Sequence, residues 1–99
     1  MTEVICRKDG DNYYIRAEGH SGYAPEGRDI VCAAISVLIM SAAATLERTE
    51  EIRLKRAVVR KGFAELEFSG DKLAEGIYLV VKNGVMGLCE HYPNYIRQG

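Results

Sequence analysis

A run of 17 residues without a charged side chain, from Ile30 to Leu46, constrains the fold of this 99-residue chain more than any other feature. The run directly follows Asp29, and aspartate is a favoured N-cap residue of helices. It is at the lower length limit for crossing a bilayer, for which about 20 strongly apolar residues are expected, and it contains three hydroxyl side chains. We therefore predict a core helix from Ile30 to about Thr49, and no membrane span.

Short β-prone segments lie on both sides of this helix. Before it, Val4–Cys6 and a strand from Tyr13 to about Glu18 flank a polar break that contains a glycine, which is typical of a β-hairpin. After it, Leu54–Arg60 and Phe63–Phe68 are separated by a Lys-Gly turn. Apolar and acidic side chains alternate in the last of these strands, so we expect one buried and one exposed sheet face.

The segment from Asp71 to Tyr92 has apolar residues at spacings of three and four, which predicts a second helix that ends before Pro93. Its glycines indicate either a close approach of another backbone or a break near Asn83-Gly84. Tyr95 and Ile96 add a short edge strand. The order ββαββα predicts an α+β fold, a two-layer α/β sandwich in which an antiparallel sheet carries two helices on one face. We expect one domain over residues 1–99.

Composition and charge exclude several classes of protein. Apolar residues make up 47% of the chain and charged residues 27%, which is typical of a folded domain and not of a disordered segment. A net charge of −1 argues against non-specific nucleic-acid binding as the main function. Five cations do fall between Arg53 and Lys61. A solvated strand face explains them better than a phosphate-binding patch, but a non-enzymatic ribosome- or RNA-associated module remains the alternative function.

The cysteine pattern indicates a reducing compartment. Cys6, Cys32 and Cys89 are an odd number of cysteines without a CxxC pair, and no apolar run of signal-peptide length occurs between Met1 and Lys8. We therefore expect a cytoplasmic protein with free thiols.

One histidine and one cysteine have the placement that a cysteine hydrolase needs. His20 follows the second predicted strand, and Cys32 lies 12 positions later, after a loop with two glycines. If Asp29 is the N-cap, Cys32 is in the first helical turn, where unpaired N–H groups and the helix dipole favour a thiolate. A histidine at the same place accepts the thiol proton. The structural alternatives are a small buried cysteine and a loop histidine that hydrogen-bonds a carbonyl.

Zinc binding is a competing use of the same side chains. Four ligands are available in His20, Cys32, Cys89 and His91. Structural zinc sites usually present paired ligands from short turns, whereas Cys89 and His91 point to different faces of a helix. We therefore predict no metal and no cofactor, and we interpret Cys6 and Cys89 as core positions and His91 as a capping or surface residue.

Two further residues accompany the predicted pair. Ser36 is one helical turn after Cys32; it either orients a substrate or bonds the carbonyl four residues earlier, the commoner arrangement. Asp29 is expected to shape the helix start or order the substrate, and we do not assign it as a third catalytic residue.

This segment resembles the signature of a known family, the ribosomal-processing cysteine proteases (Prp). The resemblance rests on a Gly-His pair, an eight-residue loop, and then Asp29-Ile30-Val31-Cys32-Ala33-Ala34-Ile35-Ser36. The ββαββα order, the chain length and the closing Tyr92-Pro93-x-Tyr95-Ile96 are also similar to the family. Ser21 stands where many members have alanine, a small departure beside the histidine.

The resemblance implies a cytoplasmic, homodimeric cysteine endopeptidase that removes the N-terminal extension of a large-subunit bacterial ribosomal protein, with no nucleic acid required. It assigns Cys32 as nucleophile and His20 as general base and acid. Gly19, Gly22, Asp29 and Ser36 are expected to bind substrate or support the pair. First-turn N–H groups of the helix are the candidates for the oxyanion hole.

Two expectations concern assembly and motion. The uncharged helix is apolar on more sides than one sheet covers, so a spare face is expected to pack on a second copy of the chain. The loop from Ser21 to Arg28 is expected to be the most mobile internal segment, with His20 away from Cys32 until substrate closes the loop.

Overall fold

The computed structural model describes residues 1–99 and contains five strands and two helices. In chain order they are β1 Thr2–Asp9, β2 Asn12–Glu18, α1 Ile30–Arg48, β3 Arg53–Arg60, β4 Phe63–Ser69, α2 Lys72–His91 and β5 Ile96–Gln98. The predicted order ββαββα is confirmed, and the predicted edge strand near the C-terminal end is β5.

The strands form one sheet in the order β3-β4-β2-β1-β5. Three of the four pairings are antiparallel, as predicted. The fourth is not, because β5 runs parallel to β1, so the sheet is mixed rather than purely antiparallel. The chain reverses once on entering α2 and again on leaving it, and β5 therefore has the direction of β4, which is also that of β1.

One face of the sheet forms the floor of the core. Tyr13, Ile15 and Ala17 of β2 are buried, while their neighbours along the strand are more exposed, which is the period-two pattern of a strand with one covered face. The sheet register places Ile15 opposite Leu66 of β4 and Cys6 of β1. The predicted alternation of buried and exposed positions in β4 is confirmed.

Both helices pack on this face and on each other. The buried residues of α1 recur at spacings of three and four and include Val31, Ile35 and Ile39. The helix α2 is continuous through Gly84, where an added Cβ atom would lie 2.7 Å from Leu38 Cδ1. The glycine therefore permits close helix contact, and the predicted alternative of a break near Gly84 is wrong.

The outer surface of the helical layer remains apolar in part. Val37 and Met40 of α1 are 64% and 56% exposed, and Val80 of α2 is 65% exposed. By length and hydropathy alone α1 is also able to cross a membrane, but the core helix of a soluble protein passes the same test.

Candidate active site

His20 and Cys32 line the same cleft, which has a volume of about 700 Å³. Its walls are the end of β2, the loop that leads to α1, the first three turns of α1 and the turn between β3 and β4. His20 is exposed two residues beyond β2, and Cys32 is the third residue of α1 and half-buried. The topology brings these elements together because β4, which carries the turn, pairs with β2.

Asp29 begins α1, as the sequence predicts. Its Oδ1 atom accepts hydrogen bonds from Val31 N–H at 3.0 Å and Cys32 N–H at 2.9 Å, and its carbonyl oxygen accepts from Ala33 N–H at 3.0 Å. The bonds to Oδ1 satisfy N–H groups that a helix start otherwise leaves unpaired, and the bond from Ala33 is the first regular helical hydrogen bond. Among the first-turn donors proposed for the oxyanion hole, these three are therefore already committed to Asp29, and Ile30 N–H is the one without a partner in the chain.

The second carboxylate oxygen of Asp29 holds the loop. Its Oδ2 atom accepts from Ser21 Oγ–H at 2.5 Å, from Tyr23 N–H at 3.1 Å and from Ala24 N–H at 3.4 Å. Partial burial by itself raises the pKa of this carboxyl group, but the hydrogen bonds from Ser21 and from the backbone of Cys32, Ala24 and Tyr23 outweigh burial and lower the pKa to about 2. Asp29 is thus an ionised anchor at neutral pH.

The thiol of Cys32 contacts Ser21 rather than His20. Ser21 N–H donates to Cys32 Sγ at 3.4 Å, and the thiol donates to Ser21 Oγ at 3.4 Å. No hydrogen bond joins Cys32 to His20 in this structure. The sequence-based hypothesis did not include Ser21, whose position beside the histidine was its only signal.

Two glycines determine where the imidazole lies. Gly19 N–H donates to Gly62 O at 2.9 Å, which joins the end of β2 to the turn after β3. At Gly62 an added Cβ atom would lie 3.1 Å from His20 Nε2 and 3.3 Å from His20 Cε1, so the ring packs on glycine backbone. Gly19 has φ +97° and no room for a Cβ, which would lie 2.7 Å from Met1 O. Gly62 is therefore a site residue that the sequence identified only as a turn.

The remaining predicted site residues have distinct environments. Ser36 lines the cleft and is exposed, and its hydroxyl does not bond the carbonyl of Cys32, unlike Thr45, which donates to Ser41 O at 2.8 Å. The alternative in which Ser36 bonds the carbonyl four residues earlier is therefore wrong. Gly22 also lines the cleft and has φ +74°.

The four side chains of the competing zinc hypothesis are not brought together. Cys89 and His91 lie near the end of α2 and do not line the cleft, and no cluster of metal-ligating side chains is present. His91 Nδ1 hydrogen-bonds Gly87 O at 2.9 Å near the helix end. Burial raises the pKa of the Cys6 and Cys89 thiols, which fits two partly buried positions against the core.

The loop between the two candidate catalytic residues is attached on two sides. The Tyr23 ring makes edge contacts with Tyr92 and Tyr95, with ring centroids 5.5 and 5.2 Å apart. On the other side, Glu26 forms an ion pair with Lys61 at 2.8 Å, in the turn that also contacts His20. The closing aromatic residues of the chain thus pack against the start of the loop.

The basic strand β3 is largely paired within the chain. Of the five cations between Arg53 and Lys61, three contact a carboxylate or an amide: Lys55 with Asn12, Arg56 with Glu65, and Lys61, in the turn after β3, with Glu26. This arrangement agrees with a solvated strand face.

Comparison with known proteins identifies the family. A family model for the cysteine protease Prp matches residues 1–97. The chain belongs to the Prp family of cysteine proteases. The ribosomal processing cysteine protease Prp of Mycoplasma pneumoniae is 32% identical over 85 residues, which cover 86% of this chain and 84% of that relative. Membership in the Prp family makes this protein an enzyme and sets aside the non-enzymatic alternative.

Solved structures share the Prp fold with this chain. The crystal structure of S. aureus Prp with a covalently linked product peptide matches with a TM-score of 0.87 at 19% identity, over 100% of this chain and 98% of that one. The same protease with a substrate peptide matches at 0.72, with 18% identity and coverage of 100% and 98%. A Streptococcus mutans protein matches at 0.75, with 20% identity and coverage of 99% and 91%. The predicted α+β fold is confirmed.

Proposed function

We propose that this Prp-family protease removes the N-terminal extension of a large-subunit ribosomal protein, with Cys32 as nucleophile and His20 as general base and acid. The observation that carries the proposal is that both side chains line one cleft, with Cys32 in the first turn of α1. The relatives named as ribosomal processing proteases support the substrate class.

The chemistry starts at the thiol. His20 accepts the proton from Cys32 Sγ, and the thiolate attacks the carbonyl carbon of the scissile bond. The negative charge on the carbonyl oxygen requires a nearby donor, and Ile30 N–H is the first-turn group without a partner. The imidazolium of His20 then protonates the leaving amine, and water, activated by His20, hydrolyses the thioester. No metal or cofactor takes part in these steps.

Formation of the pair requires movement from the present geometry. Cys32 hydrogen-bonds Ser21, and His20 packs on Gly62, so the imidazole has to approach the thiol when substrate binds. The cleft between them is open to a peptide, and the loop that carries Ser21 to Arg28 forms part of its wall. Gly19, Gly22, Asp29 and Ser36 support this cleft rather than the bond-breaking steps.

The decisive experiment is incubation of the purified protein with the extended ribosomal protein, followed by intact-mass measurement. Wild-type protein is expected to release one N-terminal peptide, and Cys32→Ala, Cys32→Ser and His20→Ala to release none while they keep the wild-type fold. Ser41→Ala, on the exposed side of the same helix, is the matched control and should cleave normally. Full cleavage by a purified Cys32 variant would contradict the proposal.

We also propose that the enzyme is a cytoplasmic homodimer. The exposed apolar side chains of α1 and α2, including Val37, Met40 and Val80, support an isologous contact between two helical layers. Free thiols at Cys6, Cys32 and Cys89 fit a reducing compartment.

A further inference from the structure

The hydroxyl of Ser21 lies between the candidate nucleophile and the carboxylate that begins α1. Ser21 is 3% exposed, one of two buried polar residues in the chain. Its Oγ atom is 2.5 Å from Asp29 Oδ2 and 3.4 Å from Cys32 Sγ, and it also accepts from Tyr23 N–H at 3.4 Å. Every hydrogen-bonding position of this hydroxyl is therefore in use.

The direction of these hydrogen bonds follows from the chemistry of the partners. An ionised carboxylate only accepts, so the single hydroxyl proton of Ser21 is donated to Asp29. The Ser21 oxygen is then a hydrogen-bond acceptor toward Cys32. Only the thiol form of Cys32 is able to donate to it, since a thiolate has no proton to donate. While the hydroxyl of Ser21 donates its hydrogen bond to Asp29, it thus favours the neutral form of Cys32.

The backbone of the same residue acts in the opposite direction. Ser21 N–H points at Cys32 Sγ and stabilises negative charge on the sulphur. Ser21 therefore contacts the nucleophile through one group that favours the thiol and one that favours the thiolate. If the hydroxyl of Ser21 rotates about its C–O bond, it becomes a hydrogen-bond donor to Cys32 Sγ, in addition to the backbone N–H.

We propose that Ser21 is a positioning residue that holds Cys32 as an oriented thiol in the free enzyme and turns its hydroxyl proton to the sulphur when His20 takes the thiol proton. In this step the S–H bond breaks, the electron pair stays on sulphur, and an N–H bond forms on the imidazole, while the O–H bond of Ser21 stays intact. Asp29 keeps four backbone donors after the rotation. The inference rests on the proposed function, because it requires the Cys32–His20 pair.

The charged environment of the thiol is mixed in sign. The titratable and charged groups that line the cleft around Cys32 are His20, Glu26, Arg28, Asp29, Arg60 and Lys61. Removal of the Ser21 hydroxyl takes one hydrogen bond from Asp29, which keeps its four backbone donors, and does not alter the other five groups.

The test is the rate of iodoacetamide alkylation of Cys32 between pH 5 and pH 9, without substrate, measured by peptide mass spectrometry. In the free enzyme the hydroxyl of Ser21 keeps Asp29 as its acceptor, so Ser21→Ala is expected to alkylate about fivefold faster than wild type at pH 7, because one hydrogen bond that stabilises the thiol is lost. Slower alkylation of Ser21→Ala would mean that the hydroxyl already donates to the thiolate without substrate, and would contradict the proposal. Ser41→Ala is the matched control and should equal wild type. Cys6 and Cys89 provide internal controls in each sample and should not change.

A purely structural role of Ser21 gives a different result. If the hydroxyl only anchors Asp29, Ser21→Ala will lower the melting temperature and leave the pH profile of alkylation unchanged, which overturns the proposal. Because this assay uses no substrate, failure to cleave the ribosomal protein does not affect its outcome.

A second variant tests the hydroxyl proton directly. Asp29→Asn keeps the Oδ1 acceptor of the helix cap but presents an NH₂ group to Ser21, which frees the serine proton for the sulphur. The same change removes the acceptor of Tyr23 N–H and Ala24 N–H, so the variant is compared in two backgrounds that share this loss. The substitution Asp29→Asn should accelerate Cys32 alkylation when Ser21 is present and accelerate it less in the Ser21→Ala background. The two accelerations should differ by about threefold or more. Equal acceleration in both backgrounds would mean that only the lost charge of Asp29 matters and would contradict the rotation.

Discussion

Replacement of Gly62 by alanine should lower kcat/KM by more than its effect on the unfolding free energy explains. Gly62 has φ +75°, and an added Cβ atom would lie 3.1 Å from His20 Nε2, whereas ordinary contacts are about 3.5–4.0 Å. The imidazole therefore has to move by roughly 0.5 Å. The turn at Gly62 borders the cleft from which the imidazole approaches Cys32, so we expect the displacement to persist in the productive geometry. A misplacement of about 1 Å there costs on the order of 100-fold in rate, so kcat/KM should fall about tenfold.

The control for this substitution is Gly10→Ala in the β1–β2 turn. Gly10 has φ +62°, close to that of Gly62, but no atom lies within 4 Å of its added Cβ. A residue with a side chain pays about 1–2 kcal/mol in this left-handed region. Both variants should therefore lose similar unfolding free energy, and Tm should fall by several degrees in each, roughly 4–8 °C per kcal/mol.

The assay is kcat/KM on the extended ribosomal protein at a temperature where all three proteins are folded, together with thermal unfolding of each. We expect wild type and Gly10→Ala to be equally active and Gly62→Ala to be about tenfold slower. Equal activity of the two alanine variants would refute the argument that the turn after β3 positions His20.

Three other predictions follow from the site and the helical layer. The pKa of Asp29 is lowered to about 2 from an ordinary 3.8, so its contribution to stability is complete above pH 4 and is lost as the pH falls toward 2. In urea unfolding, Asp29→Asn should therefore lose less unfolding free energy between pH 4 and pH 2 than wild type. Equal losses in the two proteins would contradict this role of Asp29. Sedimentation at micromolar concentration should give a dimer for wild type and a monomer for the double variant Val37→Glu, Met40→Glu; a monomeric wild type would disprove the proposed interface. Gly22 and Gly27 have φ +74° and +87°. Replacement of both by alanine should cost more free energy in kcat/KM than in unfolding, and a larger loss in unfolding than in kcat/KM would exclude a loop that closes on substrate.

Local signals in the sequence were sufficient for the elements and for part of the site. The charge-free run predicts α1, the alternation in β4 predicts its buried face, and Asp29 is confirmed as the N-cap because its effect depends only on residues two and three positions later. The same locality places Cys32 in the first turn.

Contacts between distant segments were not predictable in this way. The packing of His20 on Gly62 depends on β4 lying between β3 and β2, an arrangement that follows from the assembled sheet. The parallel pairing of β5 depends likewise on the path of α2 over the sheet. Ser21 was missed because its importance comes from the common neighbourhood of Asp29 and Cys32.

The carboxylate of Asp29 accepts five hydrogen bonds, and the segments that donate them should open together in local unfolding. Amide protons of Tyr23, Ala24, Val31 and Cys32 are all held by this one group. Release of the carboxylate exposes all four together, so their hydrogen exchange should proceed through a shared opening event with one free energy. The first turn of α1 and the start of the loop therefore behave as a single cooperative segment, distinct from the sheet beneath them.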